Sequence, residues 1–134
     1  MTETATLTNT NQTTEHTIEQ LVFLAAEAAD DRKAGDMVLI NIAEVSTLAD
    51  YLLIVTGFSK VQLRAISGSI IDKIEEDFNR LPLRTEGQDR GGWVLIDYGD
   101  AIVHIMMPEQ REFYNLEAFW GHGEMVTLPQ TTVD

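Results

Sequence analysis

Cysteine is absent from the 134-residue chain, which removes disulfide frameworks, thiolate metal sites and cysteine nucleophiles together and suits a reducing compartment. Basic residues are scarce: 9 Lys and Arg against 22 Asp and Glu give a formal net charge of −13. Direct binding to nucleic acid depends on Lys and Arg neutralising phosphates, so this balance argues against it and favours basic protein surfaces as partners. Long apolar runs are missing too. Runs such as Val38–Ile40, Leu52–Val55 and Val94–Ile96 fall far below the roughly 20 residues of a membrane span. The opening MTETATLTNTNQTTEHT has no Lys, no Arg and no apolar core, so it resembles neither a secretory signal nor an organellar transit peptide. These absences predict a cytoplasmic protein with no membrane contact.

What is present suffices for one ordinary domain. At this length folding buries roughly 68% of the surface of the unfolded chain, and 44% of the residues are hydrophobic. Residues 1–16 hold seven Thr and only Met1, Ala5 and Leu7 as apolar side chains, too little to offset the entropy of ordering them, which predicts a disordered Thr-rich tail. Residues 121–134 show two Gly, one Pro and no periodicity and are expected to form a flexible C-terminal segment, leaving 17–120 as the packed domain.

Within it, Thr17 and Gln20 form a capping box, and Ile18, Leu21, Val22, Ala25, Ala28 and Ala29 follow at helical spacing, predicting a helix over 17–32. The runs 36–42 (DMVLINI) and 50–56 (DYLLIVT) predict strands, the second apolar enough to be central and covered on both faces. Ser59 and Gln62 repeat the capping box before Leu63, Ile66, Ile70, Ile74 and Phe78, which predicts a second helix. Residues 82–86 are a weak strand and 87–92 (GQDRGG) a loop. Trp93–Ile96 and Ala101–Met107 flank Asp97-Tyr98-Gly99-Asp100 as a hairpin. Behind Pro108, residues Phe113, Leu116 and Trp120 space a short last helix. The order α-β-β-α-β-β-β-α predicts a single α/β domain, a mixed sheet sandwiched with helices.

Candidate chemistry is thin. The three histidines, His16, His104 and His122, have no ligand spacing, so no metal or other cofactor is implied. His104 lies mid-strand, where a lone His is more commonly a hydrogen-bonded structural residue or a surface contact than a base. Thr56-Gly57-Phe58-Ser59 sits at a strand-to-helix junction, where backbone N–H groups and the helix dipole can hold an anion. It lacks the second Gly and the Lys of a Walker loop, and its simpler reading is a turn glycine with a helix cap. A nucleotidyl-transferring enzyme would also need two carboxylates one residue apart on a nearby strand, and no Asp-x-Asp or Glu-x-Glu follows Ser59 on any strand. Asp97 and Asp100 are either turn formers or an acidic contact tip.

The distribution of charge says more. From Trp93 to the end there are seven acids against Arg111 alone, and the same stretch carries both Trp, two of three Tyr and two of five Phe. Dispersed acids are commonly a solvated face, but aromatics beside carboxylates also build an interface for a basic partner.

Taken together, Ala49-Asp50-Tyr51, Ile54-Val55-Thr56-Gly57, Ser59, Gln62, Glu86-Gly87, the string DYGDAIVHIM over 97–106 and REFYNLEAFW over 111–120 resemble the ribosomal silencing factor, or Iojap, family across about 18–120. The resemblance implies a nucleotidyltransferase-like α/β fold without the catalytic carboxylate pair. It further implies a non-enzymatic protein that binds the large ribosomal subunit at a basic ribosomal protein, the conserved interface protein number fourteen. Binding there would block joining of the small subunit and repress translation when nutrients are short, and a homodimer is implied as well. By the resemblance and by exposure, the expected partner contact is Trp93, Asp97, Tyr98, Asp100 and His104. Alternation along the strand puts Trp93, Leu95 and Asp97 on one side and Val94 and Ile96 on the other.

Overall fold

A computed structural model describes residues 18–88 and 91–128. Helix α1 occupies 18–31 and buries Leu21, Val22, Ala25, Ala28 and Ala29 completely; Thr17, the expected cap, lies outside the described residues. The helix ends with Lys33 at φ 67°, where Lys33 N–H donates to Asp30 O and Ala34 N–H to Ala29 O, a Schellman closure that turns the chain into the sheet.

Strands β1 (Gly35–Asn41) and β2 (Tyr51–Thr56) form where the β-branched runs predict them. Helix α2 (Lys60–Phe78) is capped by Ser59, whose hydroxyl accepts from Gln62 N–H, and closes at Asn79 with φ 55°. Beyond it come β3 (Arg84–Glu86), β4 (Trp93–Asp97) and β5 (Ala101–Met106). The last two are the expected hairpin, closed by Tyr98 N–H to Ala101 O.

The single helix expected after Pro108 is two short ones, α3 (Pro108–Tyr114) and α4 (Leu116–Phe119). The break falls at Asn115, which adopts φ 46°, a left-handed conformation that Asn tolerates and that stops helix propagation. The segment after Trp120 differs from expectation as well. Glu124–Val126 form a sixth strand, β6, which pairs antiparallel with β1 from Leu39↔Val126 to Asn41↔Glu124. Three residues are too few to show periodicity, and what makes them a strand is the hydrogen-bonding edge of β1, a tertiary partner rather than a local propensity.

The sheet runs β3-β4-β5-β2-β1-β6, with β2 and β5 parallel and the other neighbours antiparallel. Its centre, Leu52 to Val55, is buried on both faces. Leu39, Leu53, Val55, Val94, Ile96, Val103 and Ile105 face α1 and α2 in the larger core. Ile40, Leu52, Ile54 and Met106 face the other way, against Leu116 and Trp120. Arg111 fixes α3 and α4 over that second side: its Nη1 donates to Thr56 Oγ1 at 2.6 Å and its Nε and Nη2 fork onto Glu117 at 3.1 and 3.0 Å. The Arg111 side chain is 11% exposed, and these three hydrogen bonds compensate the largely buried charge.

Candidate partner-binding face

The short helices roof the β2 and β1 part of the second face, while its β4 and β3 end stays open. Strand alternation turns Val94 and Ile96 into the helix-side core and leaves Trp93, Leu95 and Asp97 half-buried on the open side. The antiparallel register sets Trp93 opposite Met106 and Leu95 opposite His104. Trp93 Nε1–H donates to His104 Nδ1 at 2.9 Å, and the rings lie 5.6 Å apart.

On its other flank Trp93 meets Tyr114 at 4.7 Å between centroids, tilted by 50°, and Tyr114 meets Phe113 edge-on at 4.9 Å. Offset and edge-to-face geometries of this kind are the favourable ones for aromatic pairs. Phe113 is 80% and Tyr114 50% exposed. Two depressions adjoin across the Trp93 and Tyr114 contact: one of ≈ 370 Å³ lined by Glu86, Gly87, Trp93 and Leu95, the other of ≈ 350 Å³ lined by Glu109, Gln110, Phe113 and Tyr114. Acids rim them, with Arg84 bridging Glu86 at 3.0 Å and Asp97 at 3.3 Å.

The five residues expected at the contact therefore divide. Trp93, Asp97 and His104 share the open side, with Trp93 and His104 in direct contact. His104 is only 9% exposed, and burial holds its imidazole down at a pKa of about 4, against 6.5 for a free side chain, because desolvation disfavours the charged form. Tyr98 points the other way, into the helix-side core, and is 2% exposed. Among the described residues its hydroxyl has no partner, and burial pushes its pKa up to about 12. Asp100 forks with Arg80 at 3.0 and 3.2 Å, and Arg80 also donates to Tyr98 O at 2.8 Å and stands 5.7 Å over the Tyr98 ring. Tyr98 and Asp100 thus belong to the brace of the hairpin turn. Asp97 has a turn role too, accepting Gly99 N–H at 2.8 Å. Sequence spacing missed Phe113 and Tyr114 as members of the face, since it read Phe113 with the inward residues Leu116 and Trp120; the concentration of aromatics in this stretch was the signal that pointed to them.

The Gly57–Ser59 junction is occupied from within. Gly57 N–H donates to Met106 O, Phe58 N–H to Gln62 Oε1 at 2.7 Å and Gln62 N–H to Ser59 Oγ at 3.0 Å. A Cβ on Gly57 would lie 2.5 Å from Leu63 Cδ1, so the glycine serves the close approach of α2 to the sheet. Among the described residues no three His, Asp or Glu side chains converge as a metal-ligand set.

The fold and this face define a small single-domain α/β protein with a mixed sheet, an exposed aromatic cluster and an acid rim. Comparison with known proteins sharpens that class. The family described as "Ribosomal silencing factor during starvation" matches residues 14–134, and the chain belongs to it. The match takes in the segment after Trp120 that the resemblance left out.

A protein of Bacillus subtilis named Ribosomal silencing factor RsfS is 36% identical over 110 residues, 82% of this chain and 92% of the relative. The chloroplastic protein Iojap of Zea mays is 36% identical over 108 residues, 80% of this chain and 46% of the longer relative. A crystal structure of a Chromobacterium violaceum protein superposes with a TM-score of 0.75 at 32% identity, covering 87% of this chain and 93% of that one.

Proposed function

We propose that the protein binds the large ribosomal subunit through a basic ribosomal protein, the conserved interface protein number fourteen, and represses translation by standing where the small subunit must join. Catalysis has no part in this reading. The observation that carries it is the Trp93, Tyr114 and Phe113 cluster, left open by the fold and rimmed by Glu86, Asp97 and Glu109, in a chain of the ribosomal silencing factor family. Aromatic anchors surrounded by charge are the composition of binding hot spots, and the acidic rim steers a basic partner while repelling ribosomal RNA.

Trp93 and Asp97 make direct contacts in this proposal, with Phe113 and Tyr114 beside them, while His104, Tyr98 and Asp100 hold the hairpin in shape. The family resemblance adds a homodimer, which light scattering tests.

Co-sedimentation with purified large subunits, scored against added small subunits, tests the main claim. The native protein should pellet with large subunits and lower the yield of joined ribosomes. Asp97→Lys combined with Phe113→Ala should do neither. Stable association with no loss of joined ribosomes would sink the silencing mechanism, and undiminished binding by the double variant would move the contact elsewhere.

A further inference from the structure

An indole has one polar handle, its N–H, and on an open face that donor ordinarily turns among water molecules until a partner fixes it. Here it is already engaged. Trp93 Nε1–H donates to His104 Nδ1 at 2.9 Å, with the rings tilted by 53°. The acceptor cannot drift, because His104 sits mid-strand in β5 with Leu95 of β4 as its register partner on one side and Ile54 of β2 on the other. Nδ1 accepts only from a neutral imidazole carrying its proton on Nε2. The opposite flank of the indole rests on Tyr114, which in turn touches Phe113. One buried side chain thus anchors a row of rings that runs outward to solvent.

We propose that His104 is a positioning residue for the docking face: by accepting the indole N–H it fixes the plane of Trp93, and through the ring contact that of Tyr114, before any partner arrives. This rests on the reading of that face as the ribosomal contact. Side chains ordered in advance spare the ordering cost that mobile ones meet on binding. His104 needs no contact with the partner to act in this way.

Two measurements test the inference. In proton–nitrogen NMR spectra the Trp93 indole signal, assigned with Trp93→Phe, should exchange with solvent at least about tenfold faster in His104→Leu than in the native protein. His104→Asn, whose side-chain oxygen occupies the place of Nδ1, should restore slow exchange. In co-sedimentation, His104→Leu should weaken binding to large subunits about 3- to 10-fold, with His104→Asn recovering most of it. Trp93→Phe keeps a ring but deletes the donor and should weaken binding to a similar extent, which covers the case in which the Leu variant fails to fold. Faster indole exchange with unchanged affinity, or native affinity in Trp93→Phe, would overturn the positioning role while leaving the docking face intact. Native affinity in both Trp93→Ala and Phe113→Ala would instead overturn the docking reading on which it rests.

Discussion

Lowering the pH should weaken this fold through His104 in a measurable way. The side chain is 9% exposed and titrates near 4 in the folded protein, its charge opposed by burial; in the unfolded chain it titrates near 6.5. Between these values the unfolded state binds the extra proton, so stability rises with pH in that window. The contribution is complete above about pH 6.5 and is lost progressively as the pH falls towards 4. The displacement of about 2.5 pH units corresponds to a ceiling of about 3 kcal/mol, and linkage gives a loss of about 2 kcal/mol on going from pH 7 to pH 5.

Protonation also removes the lone pair that accepts the Trp93 N–H, so the local geometry acts in the same direction. The assay is urea unfolding at pH 7 and pH 5 for the native protein and for His104→Asn, which keeps an acceptor but does not titrate. The fall in stability should be about 2 kcal/mol smaller in the variant, roughly 1 M in urea midpoint. Every other titrating group is common to both proteins, so the difference isolates this one residue. Parallel pH profiles, within about 0.5 kcal/mol, would refute the argument that His104 is buried in its neutral form.

Other substitutions probe the frame around the face. Gly87 has φ +86°, and a Cβ there would lie 2.0 Å from Trp93 O; Gly87→Ala should therefore cost about 2 kcal/mol or more in urea unfolding. Tyr98 buries a hydroxyl with no partner among the described residues, so Tyr98→Phe should leave the melting temperature unchanged or raise it slightly, by up to about 1 kcal/mol of stability; a marked loss would contradict the placement. Gln62 accepts from Phe58 N–H and donates to Arg32 O and Lys33 O, tying the end of α1 to the start of α2, and Gln62→Ala should cost about 2 kcal/mol in thermal unfolding followed by circular dichroism.

The elements most legible in the sequence were those encoded by near neighbours. Ser59 and Gln62 announced α2 and do cap it, although the Gln62 side chain reaches back to Phe58 N–H, where the usual box returns to the cap residue itself. The apolar run 52–55 announced a central strand, and it is one. What escaped was set by distant partners. β6 exists because β1 offers it an edge. Arg80 lies 20 residues before Asp100, and nothing local announced that it would turn an exposed-looking carboxylate into half of a brace. Tyr98 is a different case, since the alternation that places Trp93, Leu95 and Asp97 on one side already sends the next residue to the other. Phe113 carried a helical period without a core to meet it, because the helix breaks at Asn115 and it is Leu116 and Trp120 that pack into the second core.

The parallel pairing of β2 with β5 has a kinetic consequence. Its partners, from Tyr51↔Ala101 to Thr56↔Met106, are all 50 residues apart, so closing that loop costs about 3.5 kcal/mol of chain entropy, beyond a constant, before the central pairing forms. The β4–β5 hairpin spans far less, from Asp97↔Ile102 to Trp93↔Met106, and can form first. The strand carrying His104 would then arrive at the middle of the sheet with β4 and Trp93 already attached. Truncating Ile96 or Val103 should accordingly slow folding, whereas truncating Met125 at the β6 edge should mainly hasten unfolding. On that route the aromatic face is among the earliest parts of the molecule to take shape, and the rest of the sheet closes around it.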